Sequence, residues 1–340
     1  MMQIPTGKAE AGIHLSRQEA EAAMEEILSG RTGEEAIVRL LSALRTKGET
    51  IEELVGFARA MRHHATPIFS ETSRTDELLV DTCGTGGDAS GTFNISTTAA
   101  FVAAGAGAHV AKHGNRSISS KCGSADVLEA LGISLDVTPI HVGAAIRDIG
   151  IGFLFAPALQ SAMRHAMPAR RRLGRTAFNL LGPLTNPAGA RAQIAGVFSA
   201  DLVEKVASVL AELGVERAFV VHGAGGLDEI SLAGETKVGE VRGGLVRVYN
   251  VTPEDFGLGR AAISAISGGD AAHNAELVRA ILAGEPGPRR DVVIANAAAA
   301  LVAAGRAVDF LQGARLAAES IDSGAALKKL NRLITFRPGP

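Results

Sequence analysis

Glycine, hydroxyl and cationic residues cluster twice between residues 78 and 126, a combination suited to holding phosphate. The apolar run Leu78-Leu79-Val80, ending on Asp81, leads into Gly84-Thr85-Gly86-Gly87-Asp88, which can continue neither a strand nor a helix. A helix follows, carried by Thr97 to Ala104, with Asn94 or Ser96 able to cap it. A strand feeding a glycine loop feeding a helix turns backbone N–H groups and the positive end of the helix dipole toward an anion. The plan repeats at once, with His109 to Lys112 as a strand, the polar loop Lys112-His113-Gly114-Asn115-Arg116-Ser117, and a helix from Ser124. The glycine loop has neither dinucleotide nor Walker spacing, so alone it reads equally well as a plain turn, and Lys112 and Arg116 alone as solvated charges. Their convergence on one sheet edge, where open α/β sheets bind ligands, points to phosphate. Farther on, Asp228-Glu229 follows Gly225-Gly226-Leu227, so two carboxylates sit on a loop and need not point to opposite faces.

The elements that position these residues divide the chain in two. Capping boxes at Ser16 with Glu19, Thr32 with Glu35 and Thr50 with Glu53 each precede apolar periodicity, and Gly30 and Gly48 stop the first two helices. No strand signal interrupts Leu15 to about His64, which argues for a small all-helical domain. Pro67 and the polar run Ser70 to Asp76 read as a linker. From Leu78 onward, strand-length apolar runs alternate with helical patterns: Ile133 to Val137, Ile151 to Phe155, Gln193 to Val197, Asp201 to Leu213 as helix, and Arg217 to Val221. That alternation predicts a large α/β domain whose central sheet is largely parallel, mixed at one end, and flanked by helices. Gly225 to Tyr249, broken by glycine pairs, predicts hairpin-like strands at that end. The tail returns to helix at Asn274 to Leu282, Val292 to Ala304, from Val308 onward, and Ala326 to Leu333. The expected division is 1–72 and 73–340, with helix from about 161–186 joining the first part in space.

With 340 residues, 46% of them apolar, and mean hydropathy +0.19, the chain has material for a large core. Net charge −2 and pI 6.5 give no electrostatic reason to expect nucleic acid or an anionic membrane, and with no Trp and the single Tyr249 there is little to stack on bases. Met1 to Gly12 has no apolar core and does not read as a secretory signal, and the longest apolar stretch, Ala297 to Ala304, falls far short of the ~20 residues that cross a bilayer. A soluble, cytoplasmic protein is expected. Cys83 and Cys122 lack the spacing of a disulfide framework or zinc site. Cys83 reads as a small buried residue, although the neighbouring anion loop could lower its pKa.

Five ordered motifs resemble the anthranilate phosphoribosyltransferases: Gly84 to Asp88, Asn94-Ile95-Ser96-Thr97, Lys112 to Ser117, Phe178-Asn179-Leu180-Leu181-Gly182-Pro183-Leu184-Thr185-Asn186-Pro187, and Leu227-Asp228-Glu229-Ile230-Ser231. The resemblance runs from the N-terminal helices to Leu330. It implies transfer of the phosphoribosyl group of 5-phosphoribosyl 1-pyrophosphate to the amine of anthranilate, with loss of pyrophosphate, the second step from chorismate to tryptophan. It assigns the donor to Gly84, Gly87, Asp88, Thr92, Asn94, Ile95, Ser96, Thr97, Lys112, His113, Gly114, Asn115, Arg116, Ser117, Ile118, Ser119, Ser120 and Ser124. Two Mg²⁺ ions are implied on Ser96, Asp228 and Glu229, because a pyrophosphate leaving group calls for a hard cation held by a carboxylate or two and substrate oxygens. Lys112 would be the countercharge for pyrophosphate, and His113 a group for proton transfer or for positioning. Planar recognition of the anthranilate carboxylate is arginine's chemistry, and matching the family places it at Arg170, with Asn115 and Gly84 completing that pocket. Arg171 and Arg172 would be solvated or face a second subunit, since the family implies a homodimer through the helical domain. Two departures adjoin this pocket: Leu159-Gln160-Ser161 stands where relatives carry histidine, and Leu173-Gly174-Arg175-Thr176 is one residue tighter. They leave the range of accepted anthranilates open. A pyrimidine-type nucleoside phosphorylase shares the fold and a related lysine loop but lacks the acidic pair and the Gly182 to Pro187 motif. A non-catalytic nucleic-acid-binding relative would have lost the glycine loop or acidic pair and gained a basic face.

Overall fold

The computed structural model describes residues 2–69, 77–88, 90–117 and 121–337. Four helices come first: α1 (Gln3–Glu10), α2 (Arg17–Leu28), α3 (Glu34–Lys47) and α4 (Ile51–His63). The boxes at Ser16 and Thr50 form as predicted, each hydroxyl accepting from the glutamate N–H three residues on while that carboxylate accepts from the cap N–H. The Thr32 box does not form. Gly33 occupies the cap of α3 without a side-chain bond, which puts both Glu34 and Glu35 in the first turn, where the helix dipole favours them. Helix α1 is an addition, since Met1 to Gly12 carries no amphipathic signal. Glu53 is fully buried and accepts from Leu15 N–H, Thr50 N–H and Lys47 Nζ, tying α4 to the residue before α2's cap.

The chain then alternates: β1 (Leu79–Gly84), α5 (Ile95–Gly105), β2 (His109–Gly114), α6 (Ser124–Ala130), α7 (Pro139–Ile149) and β3 (Ile151–Phe155). Next come α8 (Ala156–Leu159), α9 (Met167–Leu173), α10 (Phe178–Leu184), β4 (Ala192–Gly196), α11 (Leu202–Glu212) and β5 (Arg217–Gly223). The hairpin β6 (Thr236–Arg242) and β7 (Leu245–Val251) precedes α12 (Ala271–Leu282), α13 (Pro288–Ala303), α14 (Phe310–Asp322) and α15 (Ala325–Thr335). The sheet order is β3-β2-β1-β4-β5-β6-β7, parallel through β5 and antiparallel in the last two pairings. The expected mixed α/β sheet behind a helical N-terminal part is therefore observed, with no strand before Leu79 among the described residues.

Each central strand is buried on both faces, and alternate residues serve different cores. Val80, Ile194, Phe219 and Val221 join α5, α13 and α14 on one side, while Ala195, Ala218 and Val220 join α11 and the N-terminal helices on the other. Helix α9 packs on α3, and α10 and α11 on α4. One predicted strand is absent: Ile133 to Val137 is irregular, with a bend at Leu135 and no ladder. Its alternation reports burial of Ile133 and Leu135 in the core, not pairing. The predicted linker Ser70 to Asp76 lies outside the described residues.

Candidate active site

The direction of strand addition reverses between β1 and β4, which lie side by side while their successors run to opposite ends of the sheet. The crevice beyond the carboxyl ends of such a pair is where open α/β sheets take ligands. Loop 224–230 packs into it. A Cβ on Gly84, at the end of β1, would stand 2.6 Å from Asp228 Oδ2, and one on Gly196, at the end of β4, would stand 1.5 Å from the Asp228 carbonyl oxygen. Both strand ends must therefore be bare for the acidic loop to reach the crevice.

Asp228 Oδ2 accepts from Gly86 N–H at 2.9 Å, and Glu229 Oε1 accepts from Ser96 N–H at 3.1 Å, at the N-terminus of α5. The glycine loop and the acidic loop are thus bonded to each other. Burial and the neighbouring Asp88 push the Asp228 carboxyl up to about 7, and burial together with Asp228 pushes Glu229 well above the carboxylate range. Both residues are partly exposed even though protein atoms crowd their carboxylates. Asp88 is held by Ser90, whose N–H and hydroxyl donate to its two oxygens at 3.2 and 2.6 Å, and Ser90 Oγ contacts Thr92 Oγ1.

Lys112 lies on β2, as expected, but the strand runs on to Gly114 and takes in the first residues of the expected loop. Its ammonium is buried, donates to the Thr82 carbonyl and stands 3.4 Å from Ser96 Oγ, beneath the acidic pair. Burial lowers its pKa while Asp81 and Glu229 oppose that. His113 donates its backbone N–H to Asp81 Oδ1 at 2.9 Å, and its Nδ1 faces the Gly182 carbonyl at 3.2 Å. Bonding to that carbonyl requires the proton on Nδ1, leaving Nε2 as a buried acceptor with no partner among the described residues, on a ring that burial keeps neutral. Asn186, from the Gly182 to Pro187 motif, donates to Asp81 Oδ2 at 2.7 Å and to the Ala111 carbonyl, so this motif braces β1 and β2 together. Asn94 stands at the cap of α5 but makes no capping bond, contrary to expectation. Thr97 Oγ1 is buried without a partner among the described residues, and Ile95 is core.

The second loop wraps the start of α6. Ser124 Oγ contacts both Asn115 N–H and the Asn115 carbonyl, and Asp126 accepts from the N–H groups of Ser117 and Gly123. The guanidinium of Arg116 is taken by Asp126 and Glu129 and lies over Phe155, so its charge is not delivered to the glycine loop. Ile118, Ser119 and Ser120 lie outside the described residues.

Arg170, on α9, is half-buried with its guanidinium 5.3 Å from the centre of the Phe178 ring, and it has no ion pair among the described residues. Arg171 is exposed, while Arg172 pairs with Glu34 and Glu35 on α3. Gln160 is buried and donates to the carbonyl and hydroxyl of Thr185, which braces the Gly182 to Pro187 motif. Arg175 is the residue that sequence reasoning missed. It donates to the Gly87 carbonyl at 2.6 Å and lies 3.9 Å from the centre of the Phe198 ring. Its place in the shortened Leu173 to Thr176 turn was the available signal. Cys83 is buried, and burial raises its thiol pKa instead of the loop lowering it.

A seven-stranded, mostly parallel sheet of this order, set against a helical bundle, defines a glycosyl-transfer fold. Two domain families match accordingly: the helical bundle domain of a glycosyl transferase family over residues 7–65 and its α/β domain over residues 76–327. An anthranilate phosphoribosyltransferase of Desulforamulus reducens is 54% identical over 97% of this chain and 94% of its own, and that of Moorella thermoacetica is 52% identical over 99% and 98%. The crystal structure of the Thermus thermophilus enzyme superposes with a TM-score of 0.91 at 46% identity, covering 97% of this chain and 98% of that one. The Saccharomyces cerevisiae enzyme in complex with PRPP and Mg superposes at 0.87 with 29% identity, covering 98% and 96%. The chain belongs to the anthranilate phosphoribosyltransferases, and its reaction is phosphoribosyl transfer to anthranilate in tryptophan biosynthesis. No helix among the described residues is long and apolar enough to cross a membrane.

Proposed function

We propose that the β1–β4 crevice holds 5-phosphoribosyl 1-pyrophosphate, with Gly84 to Asp88, Thr92, Asn94 to Thr97 and the loop from Gly114 to Ser124 around it. The observation that carries this reading is the mutual bonding of the glycine loop and the acidic loop, Gly86 to Asp228 and Ser96 to Glu229, which brings anion donors and cation ligands to one place. Asp228 and Glu229 are buried acids with too little positive charge about them, and that deficit fits a divalent cation. No group of three His, Cys, Asp or Glu side chains that could hold a metal exists among the described residues, which suits Mg²⁺, an ion that completes its shell with water and substrate phosphate oxygens. Two ions are expected, on Glu229, Asp228 and the Ser96 hydroxyl, and when bound they neutralise charge on the departing pyrophosphate. Lys112, seated behind Ser96, opposes the rise in the Glu229 pKa without cancelling it, and sets the position of Ser96.

The acceptor enters from the α9 side. Arg170, free of acidic partners among the described residues, clamps the anthranilate carboxylate, while Asn115 and the backbone at Gly84 complete the pocket. The aromatic amine attacks without a strong base, so catalysis rests on placing it in line with the ribose carbon and stabilising the leaving group. His113, whose Nδ1 is held by the Gly182 carbonyl, presents Nε2 as a buried acceptor suited to orient the amine or take its proton. The helical part, residues 1–72 with 161–186, forms the other wall of the cleft against 73–340 and is the face through which a cytoplasmic homodimer assembles, which light scattering giving a monomer mass would refute. The deciding assay is pyrophosphate release from the donor with and without anthranilate. Release that requires anthranilate and Mg²⁺ supports the reading, whereas no pyrophosphate release, with free base formed from a nucleoside and inorganic phosphate instead, would make the protein a phosphorylase.

A further inference from the structure

The far half of the glycine loop is held by a segment that lies some way down the chain. Thr92 bridges Ser267 in antiparallel fashion, Gly268 N–H donates to the Gly91 carbonyl at 2.9 Å, and Phe93 N–H donates to the Ile266 carbonyl at 3.4 Å. A Cβ on Gly268 would stand 2.6 Å from the Phe93 backbone, so this close approach needs glycine. Directly beyond it, α12 presents Asn274, 1% exposed. Asn274 Oδ1 accepts from Gly269 N–H at 2.7 Å, and its Nδ2 donates to Asn94 Oδ1 at 3.0 Å. Cys122 Sγ approaches the same oxygen at 3.4 Å, and Asn94 Nδ2 reaches the Cys122 carbonyl at 3.4 Å.

A primary amide has one accepting edge and one donating edge, and here the orientation is dictated from behind. A main-chain N–H occupies the Asn274 oxygen, so only its NH₂ can face Asn94. The Asn94 oxygen therefore turns inward, and its second amide hydrogen is left for a ligand oxygen. Asn94 caps nothing in α5, so no helix bond competes for it. From the juxtaposition of Asn274 with Asn94 behind the paired segments 91–93 and 266–268, we propose that Asn274 is a positioning residue for the phosphoribosyl donor, fixing which edge of the Asn94 amide faces it. The inference rests on the reading of Asn94 as a donor contact.

The test is a double-mutant cycle between Asn274→Asp and Asn94→Ala, with donor and anthranilate varied in turn. Aspartate keeps the acceptor for Gly269 N–H but offers Asn94 Oδ1 no proton. A neutral hydrogen bond of this kind is worth about two- to tenfold, so kcat/KM for the donor should fall by that factor while KM for anthranilate stays constant. In the Asn94→Ala background the second substitution should cost nothing further, because its route of action is gone. Additive losses, or equal changes in both KM values, would show that Asn274 merely supports the fold and overturn the inference. A donor defect in Asn94→Ala with none in Asn274→Asp overturns the inference alone, whereas a normal donor KM in Asn94→Ala overturns the reading of Asn94 and the inference with it. Asn274→Ala enters the same cycle with the same criteria if the aspartate variant does not fold.

Discussion

Asp228→Asn should abolish turnover and yet raise the stability of the metal-free protein, by an amount that depends on pH. The carboxyl of Asp228 is pushed from 3.8 up to about 7 by burial and by Asp88, so the folded state holds its proton more tightly than the unfolded chain does. Below 3.8 both states are protonated and the group costs nothing. As pH rises from 3.8 to about 7 the unfolded chain ionises while the folded one resists, and stability is lost over that window. A gap of about three pH units at ~1.36 kcal/mol each gives about 4 kcal/mol, and because the residue is partly exposed, solvent screening brings this nearer ~2 kcal/mol. Asparagine keeps the acceptor for Gly86 N–H and the shape, without the charge. Thermal melts with a chelator should therefore show the variant higher by about 3 °C near pH 8 and by much less near pH 5. Added Mg²⁺ should restore the wild type near pH 8 and do little for the variant. A variant that melts lower than the wild type without metal near pH 8, or by the same margin at both pH values, would refute the argument that Asp228 is a buried acid awaiting a cation.

Gly196→Ala should lower kcat by at least about tenfold with an unchanged circular dichroism spectrum, because the new Cβ displaces the Asp228 backbone; normal turnover would show that the loop can stand off. Arg170→Ala removes a charge-assisted clamp worth about 1.5 to 3 kcal/mol, so kcat/KM for anthranilate should fall by about one to two decades with the donor KM nearly constant. Arg171→Ala should do little, and a selective anthranilate defect there with a normal Arg170→Ala would place the clamp one residue later. Arg175→Ala frees the Gly87 carbonyl and should raise the donor KM several-fold, by about 1 kcal/mol, while KM for anthranilate holds; steady-state kinetics with the donor varied will show whether it does.

How much of this was readable beforehand follows from where the physical cause of each feature lies. The strands Ile151–Phe155 and Arg217–Gly223, and the boxes at Ser16 and Thr50, announce themselves because burial periodicity and capping are local. Ile133 to Val137 misled because burial alone produces the same alternation as pairing. Lys112 read as the last residue of its strand and the first of a polar loop, since nothing next to it reveals that the strand runs to Gly114 or that its ammonium ends beside Ser96. The acidic pair was legible as a metal site only through resemblance, because its environment is assembled from four separate pieces of chain: the glycine loop, α5, β2 and loop 224–230. Gly196 carries the point furthest. Within its own strand it looks like a weakness, yet it stands at the end of β4 because Asp228, farther along the chain, must lay its carbonyl where a side chain would be. A residue chosen for what it lacks leaves no local mark, so the crevice becomes visible only once β1 and β4 are known to be neighbours.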